Sequence, residues 1–89
     1  MNANEKYLKI LDIAKKIRSE RRKIYGDTWI YDVKPKEFII FIKAKIARLE
    51  RQLTNKKKSK KQYENAIDCV CDAINYLAFV GAQQLKNGI

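Results

Sequence analysis

Apart from Gly26 and Pro35, no glycine or proline interrupts this 89-residue chain before Gly81. An all-β fold needs many tight turns, and glycine and proline are the usual material for them. Their scarcity leaves long uninterrupted segments, and helix is the structure such segments favour. The length suits one domain, and a chain this short buries only a modest part of its surface, so association of copies is expected to help cover it.

The apolar pattern places three long helices. The first is expected from about Ala3 to Tyr25, capped by Asn2 or Asn4. Tyr7, Ile10, Leu11, Ala14 and Ile17 share one face, and the same stripe runs on through Arg18, Arg21 and Tyr25. An apolar face that turns cationic either protrudes into water, with arginine snorkelling, or leaves the core and enters a ligand site. Gly26 ends this helix as a residue able to take positive φ. Residues 26–34 read as a loop holding Trp29, Tyr31 and Asp32. Pro35 then opens a second helix, where its missing N–H costs nothing, and the helix runs to about Leu53. Phe38, Ile42, Ile46, Leu49 and Leu53 form its main stripe, bordered by Phe41, Lys45 and Arg48. Ser59 with Gln62 fits a capping box, opening a third helix from about Lys60 to Leu85. That helix is apolar around much of its circumference and reads as mostly buried. The tail Lys86–Ile89 is expected to fray.

Charge is unevenly placed. The formal net charge is +10; residues 1–61 hold 19 of the 20 lysines and arginines with seven acids, whereas residues 62–89 hold Lys86 against Glu64, Asp68 and Asp72. Such a basic surface concentrates polyanions, whether nucleotides, nucleic acid or anionic membrane, or simply aids solubility. No opening apolar segment reads as a signal peptide, and no apolar run approaches the roughly 20 residues of a membrane span. A cytoplasmic protein is expected. Cys69 and Cys71 lie two apart, roughly 200° around a helix, so they can neither pair as a disulfide nor share a metal.

The acidic residues carry the sharpest chemical argument. Glu64, Asp68, Asp72 and Asn75 fall within roughly 80° of the third helix. Carboxylates on a buried helix require partners. Those partners can be cations such as Arg18, Arg21, Lys45 or Arg48, a divalent metal, or ligand hydroxyls; carboxylates one turn apart suit Mg²⁺. Lys45 and Arg48, also one turn apart, suit a phosphate. Tyr25, Trp29 and Tyr31 offer rings for stacking on a base, or serve as core plugs. There is no histidine, and no P-loop, dinucleotide-binding glycine pattern, nucleophile elbow or zinc-binding cysteine spacing. Any catalysis would rest on carboxylates and a metal.

Three groups in this order resemble the family called nucleotide modification associated domain 1: Lys23, Tyr25, Gly26, Asp27 and Trp29; then Lys45 and Arg48; then Asp68, Asp72, Asn75 and Tyr76. The resemblance spans roughly residues 18–80. It implies an all-α domain concerned with nucleotides or base modification, often carried by phages. That family is itself similar to the MazG-like all-α pyrophosphatases, which hold Mg²⁺ between acidic motifs on two helices. Here only Glu64, Asp68 and Asp72 match such a motif, and the other helix carries Lys43, Lys45 and Arg48.

The expectation is therefore an all-α bundle of three long helices, completed by homo-oligomerisation. Its ligand would be a nucleotide or small, including cyclic, oligonucleotide, bound without a cofactor; one form of this reading is sequestration of a signalling nucleotide used in host defence. Arg18, Arg21, Lys45 and Arg48 would hold phosphate, with Gly26 and Asp27 shaping the turn beside them. Tyr25 or Trp29 would stack on the base, Asp68, Asp72 and Asn75 would hold sugar hydroxyls, base edges or a metal, and Tyr76 belongs to the same ligand-binding set. The alternatives are a Mg²⁺-dependent pyrophosphatase using Glu64, Asp68 and Asp72, and a protein that binds nucleic acid or inhibits a nucleic-acid enzyme.

Overall fold

Asn2, not Asn4, opens the first helix: its side-chain oxygen accepts the Glu5 backbone N–H at 2.8 Å. The computed structural model describes residues 1–88. Among them are four helices and no strand: α1 (Ala3–Tyr25), α2 (Trp29–Asp32), α3 (Pro35–Thr54) and α4 (Lys60–Gly88). The all-α class and the three long helices match the sequence reading.

Three details differ from it. The segment 26–34 contains the single helical turn α2, held by the Ile30 and Tyr31 N–H groups on the Asp27 and Thr28 carbonyls. One turn is too short to leave a periodic pattern. The last helix does not fray at Lys86 but continues to Gly88; Ile89 lies outside the described residues. The capping box forms by half. Ser59 Oγ accepts the Gln62 N–H at 3.2 Å, but the Gln62 amide turns away and reaches the Gln52 carbonyl at 3.5 Å. That contact ties the start of α4 to the end of α3.

The other three helices all pack on α4. Facing pairs give their directions. Along α1 and α4, Cys71 lies by the Ile10 carbonyl, Asn75 Nδ2 donates to the Ala14 carbonyl at 3.0 Å, and Arg18 stands over the Phe79 ring. The numbers rise together, so the two helices are parallel. Along α3 and α4, Gln52 meets Gln62, Lys45 meets Asp72, and Phe38 meets Phe79. Here one number falls as the other rises, so α3 and α4 form an antiparallel hairpin.

The core is concentrated at one end. Ile30, Phe38 and Phe79 are buried together, with Trp29, Val33, Tyr76 and Val80 packed around them. The Trp29 indole meets the Phe79 ring edge-on, with centroids 5.3 Å apart, a favoured aromatic geometry. Gln83 fixes α2 over this cluster. Its buried amide nitrogen donates to the Ile30 carbonyl at 2.8 Å and the Val33 carbonyl at 2.6 Å. Elsewhere α4 is less buried than its composition predicts, because Tyr63, Ile67, Leu77 and Leu85 remain exposed. Two long helices and one helical turn do not encircle a helix that is apolar around much of its circumference.

Candidate functional site

The turn after α1 is an arginine holder. Gly26 takes φ 71° and ψ −157°, and its N–H closes on the Arg22 carbonyl at 2.8 Å. Its own carbonyl accepts the Trp29 indole N–H at 3.1 Å and faces the Arg18 guanidinium at 3.4 Å. Asp27 accepts from Arg18 at 2.6 Å and from Arg22 Nε at 2.8 Å. The hydrogen bond from Arg22 is the largest cause that holds the Asp27 carboxyl below its ordinary range; desolvation opposes it, and the positive fields of Arg22 and Arg18 add to the lowering. Arg18 is thereby stretched across the Phe79 face, 5.2 Å from the ring centre, a cation–π arrangement.

This arrangement builds one wall of an open cleft of 640 Å³, lined by Arg18, Arg21, Tyr25, Trp29, Asp72, Asn75, Tyr76 and Phe79. Seven of these eight are residues expected from sequence; Phe79 is the addition. Its signal was present in its spacing, one helical turn beyond Asn75 and Tyr76. Tyr25 is 65% exposed and offers a free ring. Trp29 serves two roles: its indole is packed into the aromatic core while another part of the ring borders the cleft. Asn75 has committed one amide N–H to α1, which leaves its oxygen and a second N–H for a ligand.

A second cleft, of 350 Å³, lies between α1 and α3 over α4. Arg21, Lys45, Arg48, Asp68 and Asp72 line it, together with Glu20, Ile17, Asn65 and Cys69. Its charges balance, three cations against three carboxylates. Arg21 and Asp72 belong to both clefts and form the partition between them. The Asp72 side chain is 11% exposed and divides its two oxygens: Oδ1 accepts from Arg21 at 3.1 Å, and Oδ2 forms an ion pair with Lys45 at 3.0 Å. One carboxylate on α4 thus bridges α1 and α3. Of the strip's three carboxylates only Asp72 finds cations as partners, the first of the three options open from sequence; Glu64 and Asp68 are exposed and make no ion pair among the described residues.

Gly26 and Asp27 line neither cleft and act through Arg18. Glu64 lines neither cleft. No group of three histidine, cysteine, aspartate or glutamate side chains among the described residues is placed to hold a metal ion. A Mg²⁺ ion does not fit Asp72 as arranged, since both its oxygens face cations. Arg48 makes no ion pair among the described residues. No helix among them is long and apolar enough to cross a membrane.

Comparison with protein families, with curated proteins and with solved structures finds no match. The family resemblance thus stays an expectation carried by the quoted residues.

Proposed function

We propose that the protein binds a nucleotide or a small, including cyclic, oligonucleotide, with the base in the aromatic cleft and a phosphate at the partition. Support comes above all from Asp72, which occupies a cradle made by two cations from different helices. A carboxylate held this way is an internal stand-in for an anionic ligand. A phosphate entering from either cleft takes Arg21 as a bidentate partner and Lys45 as a point charge, with Arg48 at the rim. Stacking falls to Tyr25 and Tyr76, and the Asn75 oxygen meets a base edge or a hydroxyl. Capture without hydrolysis is the favoured form, in keeping with the poor fit of Mg²⁺ at Asp72; sequestration of a signalling nucleotide in a phage setting is its biological extension.

Calorimetric titration with mono-, tri- and cyclic oligonucleotides, in chelator, tests this. Saturable binding is expected for at least one class, with at least a tenfold loss in Lys45→Glu/Arg48→Glu. Asp72→Asn, which frees both cations, should tighten binding if the carboxylate competes with phosphate. Failure of every nucleotide to bind at millimolar concentration would sink the reading. Magnesium-dependent pyrophosphate release from a triphosphate would replace capture with hydrolysis.

A further inference from the structure

The molecule carries more surface than a chain of its mass should. Its accessible area is 6941 Å² at 10.5 kDa, whereas a compact monomer of that mass exposes about 5,400 Å². Its radius of gyration is 14.6 Å against about 12 Å for a compact domain of this length. The difference of about 1,500 Å² exceeds the roughly 800 Å² each partner contributes to a standard interface.

The location of exposed apolar surface is not random. At about 100° per residue, Tyr63, Ile67, Val70, Ile74, Leu77 and Leu85 fall within roughly 80° of one another, on the side of α4 opposite Asp72. Four of the six are exposed and the other two only partly buried. On α3, Ile39, Ile46 and Leu53 recur every seven residues and are likewise exposed. They occupy the flank away from Phe41, Lys45 and Arg48. Both stripes turn away from the two clefts, so the hairpin presents one apolar back face.

We infer that this back face docks a second copy of the chain, the α3–α4 hairpins of the two protomers packing together with both sets of clefts facing outward. The charge distribution selects a second copy over an acidic partner. A two-fold contact sets a patch against itself and so demands self-complementarity. An uncharged apolar stripe meets that demand; a surface with net charge +10 does not. The α4 stripe holds no charged residue, and no lysine or arginine occurs between Gln62 and Leu85. Two copies can therefore approach closely along the α4 stripe without juxtaposing their cations, while on α3 Lys43 and Glu50 flank the stripe as a pair of opposite sign. Salt then strengthens the contact by screening the remaining like-charge repulsion, whereas it would weaken attachment of a polyanion.

Sedimentation equilibrium of the whole chain over a range of concentrations, at low and high salt, tests the inference. The wild type should weigh twice 10.5 kDa, with association tightening as salt rises. Ile46→Glu/Leu77→Glu should weaken association by more than about 100-fold, a hot-spot-sized effect, while circular dichroism stays helical. Should that variant fail to fold, Ile46→Cys treated with a short bis-maleimide should give covalent dimers, and Glu20→Cys on the cleft side should not. A wild type that remains monomeric at about 100 μM in high salt, roughly a hundred times the concentration a micromolar dimer needs, overturns the inference. So does a dimer that the back-face substitutions leave intact. Nucleotide binding resides on the opposite face, so it can survive or fail independently of this result.

Discussion

At Gly26 the backbone adopts φ 71° with ψ −157°, a region that only glycine occupies without strain. No atom lies within 4 Å of where a Cβ would sit, so a side chain would meet space but not a permitted conformation. Gly26→Ala should therefore cost about 1–3 kcal/mol in urea denaturation, with loss of order around Trp29. The neighbouring Asp27 carries a pH dependence. Its carboxyl is held below the ordinary range by the hydrogen bond from Arg22 and the fields of Arg22 and Arg18. A depressed carboxyl contributes stability that is fully present above its unfolded value, about 3.9, and lost as pH falls through the lower folded value. Acid titration followed by Trp29 fluorescence should show the turn loosening below that range, and Asp27→Asn should remove the step. The run from Tyr25 to Trp29 was legible as a turn because glycine and aspartate are turn chemistry. The grip of Asp27 on Arg18 was not, since partners nine residues apart across a bend depend on where the bend sends each side chain.

Among the elements, α2 shows what periodicity cannot reach. One turn of helix is held by Gln83 from α4, whose amide donates to two α2-end carbonyls while its oxygen, also buried, finds no partner. Gln83→Glu places a second acceptor against those carbonyls. The loss should be about 2–4 kcal/mol by thermal or urea unfolding, from two broken hydrogen bonds and a buried carboxylate left without donors. Gln83 sits one turn beyond Phe79 on the inward face, so its burial was inferable, but its target was not, because α2 left no pattern of its own. Cys71 makes the converse point. The spacing of Cys69 and Cys71 sufficed to exclude a bridge, and both thiols are free and buried. Burial, and then the Asp68 and Asp72 carboxylates, push the Cys71 thiol above its ordinary range. Iodoacetamide at neutral pH should leave Cys71 unmodified in the folded protein and modify it readily in urea, as peptide mass spectrometry would record. The three long helices were legible to within a few residues because stripes of apolar side chains and a glycine, a proline and a serine marked their ends. The exposed back of α4 was misread as buried, because an apolar stripe reports what a helix needs covered and not whether its own chain is long enough to cover it.

For the whole molecule, the arrangement predicts unequal protection. The α3–α4 hairpin shares the aromatic cluster, whereas α1 rests mainly on α4, through Ala14 under the Asn75 amide, Arg18 over the Phe79 ring and the Arg21–Asp72 pair. Native-state hydrogen exchange should show α1 amides opening at lower free energy than those of α3 and α4, as a separate unit. The convergence of Arg21, Tyr25, Trp29, Asp72, Asn75 and Tyr76 on one cleft followed from the register of parallel α1 against α4, which sequence order alone did not specify. Lys45 and Arg48 were placed on the correct border of α3, yet they open onto the second cleft, and only the direction of packing separates the two. The bridge at Asp72 then acquires a mechanical meaning. It is a rivet through three helices, and whatever anion displaces it must either take over the fastening or let α1 swing free. On the proposed reading, ligand occupancy and the looseness of α1 become one equilibrium, and the exchange rate of α1 amides is then a gauge of what the cleft holds.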